Sequence, residues 1–134
     1  MTLRTDVFNR CTTGGHAGLS ALIGTRCYPD QRMPTAFTLP LVTWMRVSTN
    51  NTYARNRSSA PGRAQVRVQF NCYANTGSGA SALADQVVAA WDGYNGSGCP
   101  LGICFVANRS GTYEQSLNMY RQIVDVMIER ATDT

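Results

Sequence analysis

Residues that could carry acid–base or nucleophilic chemistry are few in this sequence. His16, the only histidine, follows Gly14 and Gly15 at an expected helix start. A Ser-His-Asp or Cys-His centre would need this imidazole, yet no G-x-S-x-G elbow or comparable nucleophile motif is present. The eight acidic residues are scattered and form no recognisable general acid–base couple. We therefore expect a surface histidine, no catalytic residue and no enzymatic activity.

The five cysteines could bind a metal ion or form disulfides, and their pattern favours neither. They are Cys11, Cys27, Cys72, Cys99 and Cys104. Four residues separate the last two, but zinc sites usually combine two such pairs, or one pair with histidines. Five thiols cannot all pair within one chain, and most of their neighbours are apolar. We expect buried, reduced thiols and no metal site.

One glycine motif has the spacing of a dinucleotide-binding fingerprint. Residues 77–82 read G-x-G-x-x-A and lie between an expected strand and an expected helix. However, the preceding strand alternates, whereas the first strand of a dinucleotide fold is buried on both faces. No acidic residue ends a following strand, and one short sheet has no room for a second mononucleotide half. These glycines are interpreted as a turn and helix start, with no cofactor bound.

The clearest structural signal lies in Arg63–Ala74, where apolar and polar residues alternate over twelve positions. A period of two predicts a strand with one face on a core and the other face polar. Residues 41–48 are rich in β-branched and aromatic side chains and predict a second strand. The two strands form a long hairpin, joined by a polar excursion over residues 49–62.

The other segments are assigned from the spacing of their apolar residues and from the glycines and prolines that end helices and strands. A first helix has Leu3, Val7, Phe8 and Cys11 on one stripe, with Asp6 and Arg10 paired on the outside. A second short helix has its apolar side at Leu19, Leu22 and Ile23 and stops at Gly24. A central helix over residues 80–92 has its apolar face at Ala80, Leu83, Ala84, Val87 and Trp91. Short strands are predicted at residues 25–28 and 102–107, and residues 31–40 form an irregular connection.

Residues 114–131 fit both periods. One set of apolar positions has helical spacing, and another alternates as in a strand, so periodicity leaves both assignments open. The order of elements favours an α+β fold with a mainly antiparallel sheet and a long hairpin, packed against an N-terminal helix and a central helix. A length of 134 residues suits a single domain spanning residues 1–134.

The net charge of +4 comes from twelve arginines without a lysine. This charge is too small to indicate nucleic-acid binding by itself. The first ten residues carry charges where a secretion signal would be apolar, and no run has the roughly 18 apolar residues of a membrane span. We expect a soluble protein of the cytoplasm with no membrane partner.

The polar excursion carries the candidate contact residues. Tyr53, Arg55, Arg57 and Arg63 combine positive charge with one aromatic ring. A solvated loop is one reading. The other is an arm that docks on a neighbouring subunit or faces phosphates. Excursions of about a dozen residues without secondary structure are often functional, which favours the arm.

Several segments, taken in order, resemble one known family. Residues 21–30 (ALIGTRCYPD) are similar to its L-x-G-x-R-x-Y-P pattern, and residues 39–48 (LPLVTWMRVS) to its LP-x-V-x-Y-x-R-x-S strand, with Trp44 at the aromatic position. Residues 63–74 and 82–91 resemble its strand–helix unit, and residues 120–126 (YRQIVDV) its closing strand. The family is that of the tail-completion or tail-terminator proteins of long-tailed bacteriophages and gene transfer agents. The sequence departs from its patterns at residues 50–62 and 93–102.

The resemblance implies a structural virion protein at the head-proximal end of the tail, assembled in the host cytoplasm. Such a protein forms a ring, expected to hold six copies, that ends tube polymerisation and joins the tail to the head connector. Its partners would be other copies of itself, the tail tube protein and the connector, with DNA passing through the lumen without sequence-specific contacts. The resemblance also implies that the C-terminal segment is a strand.

Two alternatives remain open at this stage. One is a neck or head-closure protein of the same particle. The other is a small cytoplasmic α+β domain that binds a ligand or acts as an enzyme.

Overall fold

The computed structural model describes residues 3–12, 16–30, 32, 34–52, 63–94, 104–115 and 118–130. The order of elements within these ranges confirms an α+β fold. The helices and strands are α1 (Leu3–Cys11), α2 (Ala17–Ile23), β1 (Cys27–Pro29), β2 (Leu41–Thr52), β3 (Arg63–Ala74), α3 (Gly77–Trp91), β4 (Phe105–Glu114) and β5 (Met119–Arg130).

The strand β3 lies at the centre of one five-stranded sheet with the order β1-β2-β3-β5-β4. It pairs antiparallel with β2 on one side and with β5 on the other, and only β1 runs parallel to its neighbour. The predicted alternation is confirmed, because Val66, Val68 and Phe70 are fully buried on the helix side of the sheet. The predicted bounds of this strand and the long hairpin with β2 are confirmed.

The central helix α3 covers that side of the sheet. It begins after Thr76, whose Oγ1 accepts a hydrogen bond of 3.0 Å from the amide of Gly79 and so satisfies a donor of the first turn. The predicted apolar face is confirmed as buried. At its end, Trp91 packs against Phe70 at 5.7 Å and against Tyr94 at 5.8 Å between ring centroids. The indole thereby ties the helix to the middle of the sheet.

In each of the two N-terminal helices, the burial of one residue differs from the prediction. Asp6 is buried rather than outside, and Arg10 reaches back over the ring of Tyr94 at 3.8 Å and donates to the carbonyl of Ala90 at 2.8 Å. α1 therefore packs more of its circumference than its apolar stripe indicates. In α2, Leu19 and Ile23 are fully buried, whereas Leu22 is 37% exposed, and Gly24 ends the helix with a φ of 59°.

Three strands differ from their predicted limits. β1 is shorter than predicted, and β2 continues through residues 49–52, which belong to the predicted polar excursion. β4 was expected to end at Ala107 but runs to Glu114. The added residues are mostly polar. They lie on the edge strand of the sheet, where pairing with β5 does not require apolar side chains on both faces. The C-terminal segment is a strand, as the resemblance implied.

Arg109 links the edge strand β4 to the central helix. One guanidinium nitrogen lies 2.6 Å from a carboxylate oxygen of Asp85, and another donates to the carbonyl and hydroxyl of Ser81 at 3.2 and 3.3 Å. Bidentate use of a planar guanidinium fixes orientation as well as distance. Polar contacts of Arg109 therefore hold the edge strand against α3 in a part of the strand that has few apolar side chains.

The four described cysteines are buried free thiols, which confirms that part of the prediction; Cys99 lies outside the described residues. A hydrogen bond with Cys11, together with burial, raises the pKa of the Cys27 thiol well above its usual value. Burial is the main cause that raises the pKa of the Cys72 thiol, with a smaller contribution from Cys11. Thiols of this kind are poor nucleophiles because the thiolate is the reactive form.

Replacement of Trp91 tests the importance of the helix–sheet contact. The Trp91→Ala variant should lose about 3–5 kcal/mol of unfolding free energy, since it leaves a large cavity beneath α3. The matched control is Phe37→Ala, because Phe37 is 38% exposed, and it should lose about 1 kcal/mol or less. Urea titration followed by circular dichroism measures both. Equal losses would contradict the described packing.

Thiol titration tests the buried cysteines. At pH 8 an aromatic disulfide reagent should react quickly with at most one thiol of the native protein, because burial shields the four described thiols and the raised pKa of Cys27 and Cys72 suppresses their thiolate form. All five should react after unfolding in guanidinium. Rapid reaction of two or more thiols in the native protein would show that the core opens.

Candidate subunit-interaction surfaces

The predicted contact residues belong to the segment that joins β2 to β3 and to the first position of β3. Tyr53, Arg55 and Arg57 fall outside the described residues, and Arg63 is the first residue of β3, described for its backbone only. Its register partner is Thr52, and the adjacent Ala64 pairs with Arg130 of β5. The topology thus brings a second arginine, which was not singled out from the sequence, to the end of the sheet from which the predicted arm leaves.

The open face of the sheet is the side turned away from the helices. Its first part is a small apolar cluster built by Leu41, Tyr73 and Met119, with Tyr28 and Leu39 packed beside it. Leu41 and Tyr73 are register partners, so their side chains meet on one face. This cluster makes the face less polar than alternation along β3 alone indicates.

Next to this cluster the open face carries a group of polar side chains. Arg67 donates a 2.8 Å hydrogen bond to Asp125, whose side chain is only 7% exposed, and Gln69 donates to Asn71 at 3.3 Å. Asn71 and its register partner Thr43 are also buried. These residues come from three neighbouring strands, and their proximity follows from the register.

Several polar atoms in this group are buried and have no hydrogen-bond partner among the residues that the structure describes. They are Thr43 Oγ1, Asn71 Nδ2, Asp125 Oδ1 and Arg67 Nε. Buried polar atoms in folded proteins are nearly always bonded to protein or water. The open face therefore has a buried polar group whose hydrogen-bonding capacity is not fully used among the described residues.

The two edges of the sheet are unlike. One edge is the three-residue β1, and the other is the ten-residue β4. Large aromatic side chains are exposed along β4: Phe105 at its start is 42% exposed, and Tyr113 near its end is 44% exposed. The ring of Tyr113 meets that of Tyr120 edge-on at 4.9 Å, and its hydroxyl is hydrogen-bonded to Asn118. Exposed aromatic side chains of this kind are common at the centres of protein interfaces.

A groove lies at the β1 edge, between that strand and α1. Its volume is about 390 Å³, and it is lined by Arg4, Thr5, Phe8, Cys27, Pro29 and Trp44. A second groove of about 450 Å³ adjoins it and shares Arg4 and Pro29. Arg4 lies on the boundary of both and pairs with Asp30 at 3.0 Å. This edge thus has an apolar depression with a charged rim.

The motifs that could have indicated chemistry have structural roles here. The glycines of residues 77–82 form the first turn of α3, below the Thr76 cap. His16, expected at the surface, is half-buried at the start of α2. Across the described ranges, no three His, Cys, Asp or Glu side chains are grouped closely enough to bind a metal ion. No helix in these ranges is both long and apolar enough to cross a membrane.

The chain was compared with known proteins. No curated protein matches it. A chain from a solved structure described as the virion of a native gene transfer agent particle shares the fold, with a TM-score of 0.70 and 16% sequence identity. The match covers 96% of this chain and 90% of that chain. The profile of the family described as Tail completion protein gp17 matches residues 6–129. Because this match spans nearly the whole sequence, the chain belongs to the gp17 family of tail completion proteins.

Proposed function

We propose that this protein is a structural component of a phage-type tail and forms a ring at the head-proximal end of the tail tube. The family match over residues 6–129 carries this proposal, and the shared fold with a virion chain supports it. In this role the ring, expected to hold six copies, ends tube polymerisation and presents a surface to the head connector. The proposed role is structural and requires no catalytic residue.

The unlike edges of the sheet support a ring over a two-fold dimer. A contact between two different surfaces is heterologous, and repeated heterologous contacts close into a ring when the rotation permits. A closed ring also has two unlike ends, one for the tube and one for the connector. DNA would pass through its lumen, where phosphate contacts, if made, would be weak and sensitive to salt.

The arm at the hairpin end is proposed to contact a neighbouring subunit. Tyr53, Arg55, Arg57 and Arg63 remain the proposed contact residues, supported by the position of Arg63 at the hairpin end, beside Arg130 in the register. Arginine is well suited to such contacts because its planar guanidinium pairs with carboxylates or carbonyl oxygens of a partner.

The mass in solution and the effect on tail tubes test the ring. Size-exclusion chromatography with light scattering should give about six times the 14.6 kDa subunit mass. Electron microscopy of tubes polymerised with the protein should show one ring at one end and shorter tubes. A lasting monomer that binds a nucleotide would contradict the proposal. A protein that binds only the connector and leaves tube length unchanged would instead favour a neck or head-closure role.

Shortening the hairpin tests the arm. Thr52 pairs with Arg63, so replacing residues 53–62 by Asn-Gly creates a two-residue loop of the type that suits antiparallel strands. This variant should stay folded, with a melting temperature within about 5 °C of the parent, but should lose ring formation.

Point variants separate charge from loop length. The Arg55→Ala/Arg57→Ala double variant should weaken ring assembly, because it removes two guanidinium groups from the arm. The matched control, Ser58→Ala/Ser59→Ala, should assemble normally. If the shortened hairpin still caps tubes as the parent does, the arm assignment is wrong.

A further inference from the structure

We propose that the apolar groove at the β1 edge receives Phe105 from the β4 edge of a neighbouring copy. The inference rests on the proposed ring and names the surfaces that join one copy to the next. Its occupant is a second copy of this chain, and the argument depends on shape, apolar character and charge at the two edges.

The groove has the properties of a receptor for an aromatic side chain. Phe8, Pro29 and Trp44 are among the residues that line it, and its volume of about 390 Å³ exceeds that of one phenyl ring. Phe8 is only partly buried although it packs against the core, so part of its surface is available at the groove. Burying an aromatic side chain here would remove apolar surface from water on both partners.

Phe105 has the properties of the matching side chain. It is 42% exposed at the start of β4, which is the opposite edge strand of the described sheet. Its neighbour Val106 packs against the core and pairs with Val126 of β5. The ring of Phe105 is therefore presented from a fixed backbone, which lowers the entropy lost on binding.

The charges beside the two surfaces are complementary. Arg4, Arg32 and Asp30 line the paired grooves, and together they leave one positive charge. Beside Phe105, Asp92 is exposed and its Oδ1 accepts a 3.1 Å hydrogen bond from the amide of Val106. Asp92 and Asp85 together with Arg109 leave one negative charge at the β4 edge. Opposite charges at the rim of an apolar contact favour the correct register between copies.

The positions of the two surfaces exclude a contact within one copy. Four strand spacings separate β1 from β4, which is about 19 Å across the sheet. Phe105 therefore cannot reach the groove of its own chain. When it enters the groove of a neighbour, that neighbour's own Phe105 stays free for the next copy, until the ring closes.

Disulfide trapping tests whether the two edges meet. The variant Thr5→Cys/Ala107→Cys, made in a Cys99→Ser background, keeps Phe105 and places one thiol at the groove and one beside Phe105. Both positions are exposed, and the other four native thiols are buried. Mild oxidation with diamide should give a ladder of linked copies up to the ring on a non-reducing gel. A mixture of the two single variants should give dimers only.

The matched control moves one thiol along the same strand. Thr112→Cys is exposed and lies five residues from Ala107, about 17 Å away. Combined with Thr5→Cys, it should give no ladder above that of the Cys99→Ser parent. An equal ladder from both pairs would overturn the proposed contact.

Replacing the aromatic side chain tests whether Phe105 occupies the groove. Phe105→Ala should raise the protein concentration at half-assembly at least tenfold, measured by light scattering. Tyr113→Ala, at the other end of β4 and equally exposed, should leave it unchanged. If Phe105→Ala assembles normally, Phe105 does not occupy the groove of a neighbouring copy and the proposal is wrong; loss of tube capping in that variant would then show that Phe105 contacts the tube protein instead.

These outcomes keep the contact and the ring distinguishable. A parent protein that forms rings while Thr5→Cys/Ala107→Cys gives no ladder would overturn the contact and leave the ring intact. A parent protein that remains a monomer at every concentration would overturn both.

Discussion

Every second side chain of β3 points at the helices, and the place of the other elements depends on this alternation. Val68 and Phe70 face α3, while the alternate residues Arg67 and Gln69 face away. Since β3 pairs on both sides, its position determines the register of β2 and β5, and β5 in turn determines that of β4. A slip of one residue would move all apolar side chains of the strand to the open face. The buried contact between Phe70 and Trp91 makes such a slip costly.

The parts of the fold that were predicted correctly are those where one period dominates. β3 and the buried face of α3 follow directly from alternation and from helical spacing. β4 is longer than predicted because Arg109 and its polar neighbours are positioned by pairing with β5 and by contact with α3. These contacts leave no local pattern in the sequence. Asp6 was misplaced for the related reason that its burial depends on tertiary packing. The C-terminal strand could be assigned only through the family resemblance, since its sequence fits both periods.

The candidate surfaces were less accessible to sequence reasoning than the fold. The residues of the proposed arm can be named from composition and loop length, and the register adds only that Arg63 and Arg130 lie on neighbouring strands at the same end of the sheet. The polar group around Asp125 requires three strands to be aligned before its members meet. The groove joins residues of α1 to residues of β1 and β2, and no spacing in the sequence relates them. Sites built by long-range register are in general invisible until the topology is known.

The hydrogen bond between Asp92 and the amide at the start of β4 also bears on how this sheet edge meets other chains. A long, regular sheet edge invites other chains to pair with it strand by strand, which leads to aggregation. Here the amide of Val106 donates a hydrogen bond to the carboxylate of Asp92, and a bulge between Val106 and Asn108 interrupts the regular pairing with β5. Such irregularities hinder the approach of a foreign strand. The same edge thus exposes aromatic side chains while its backbone resists pairing with a foreign strand.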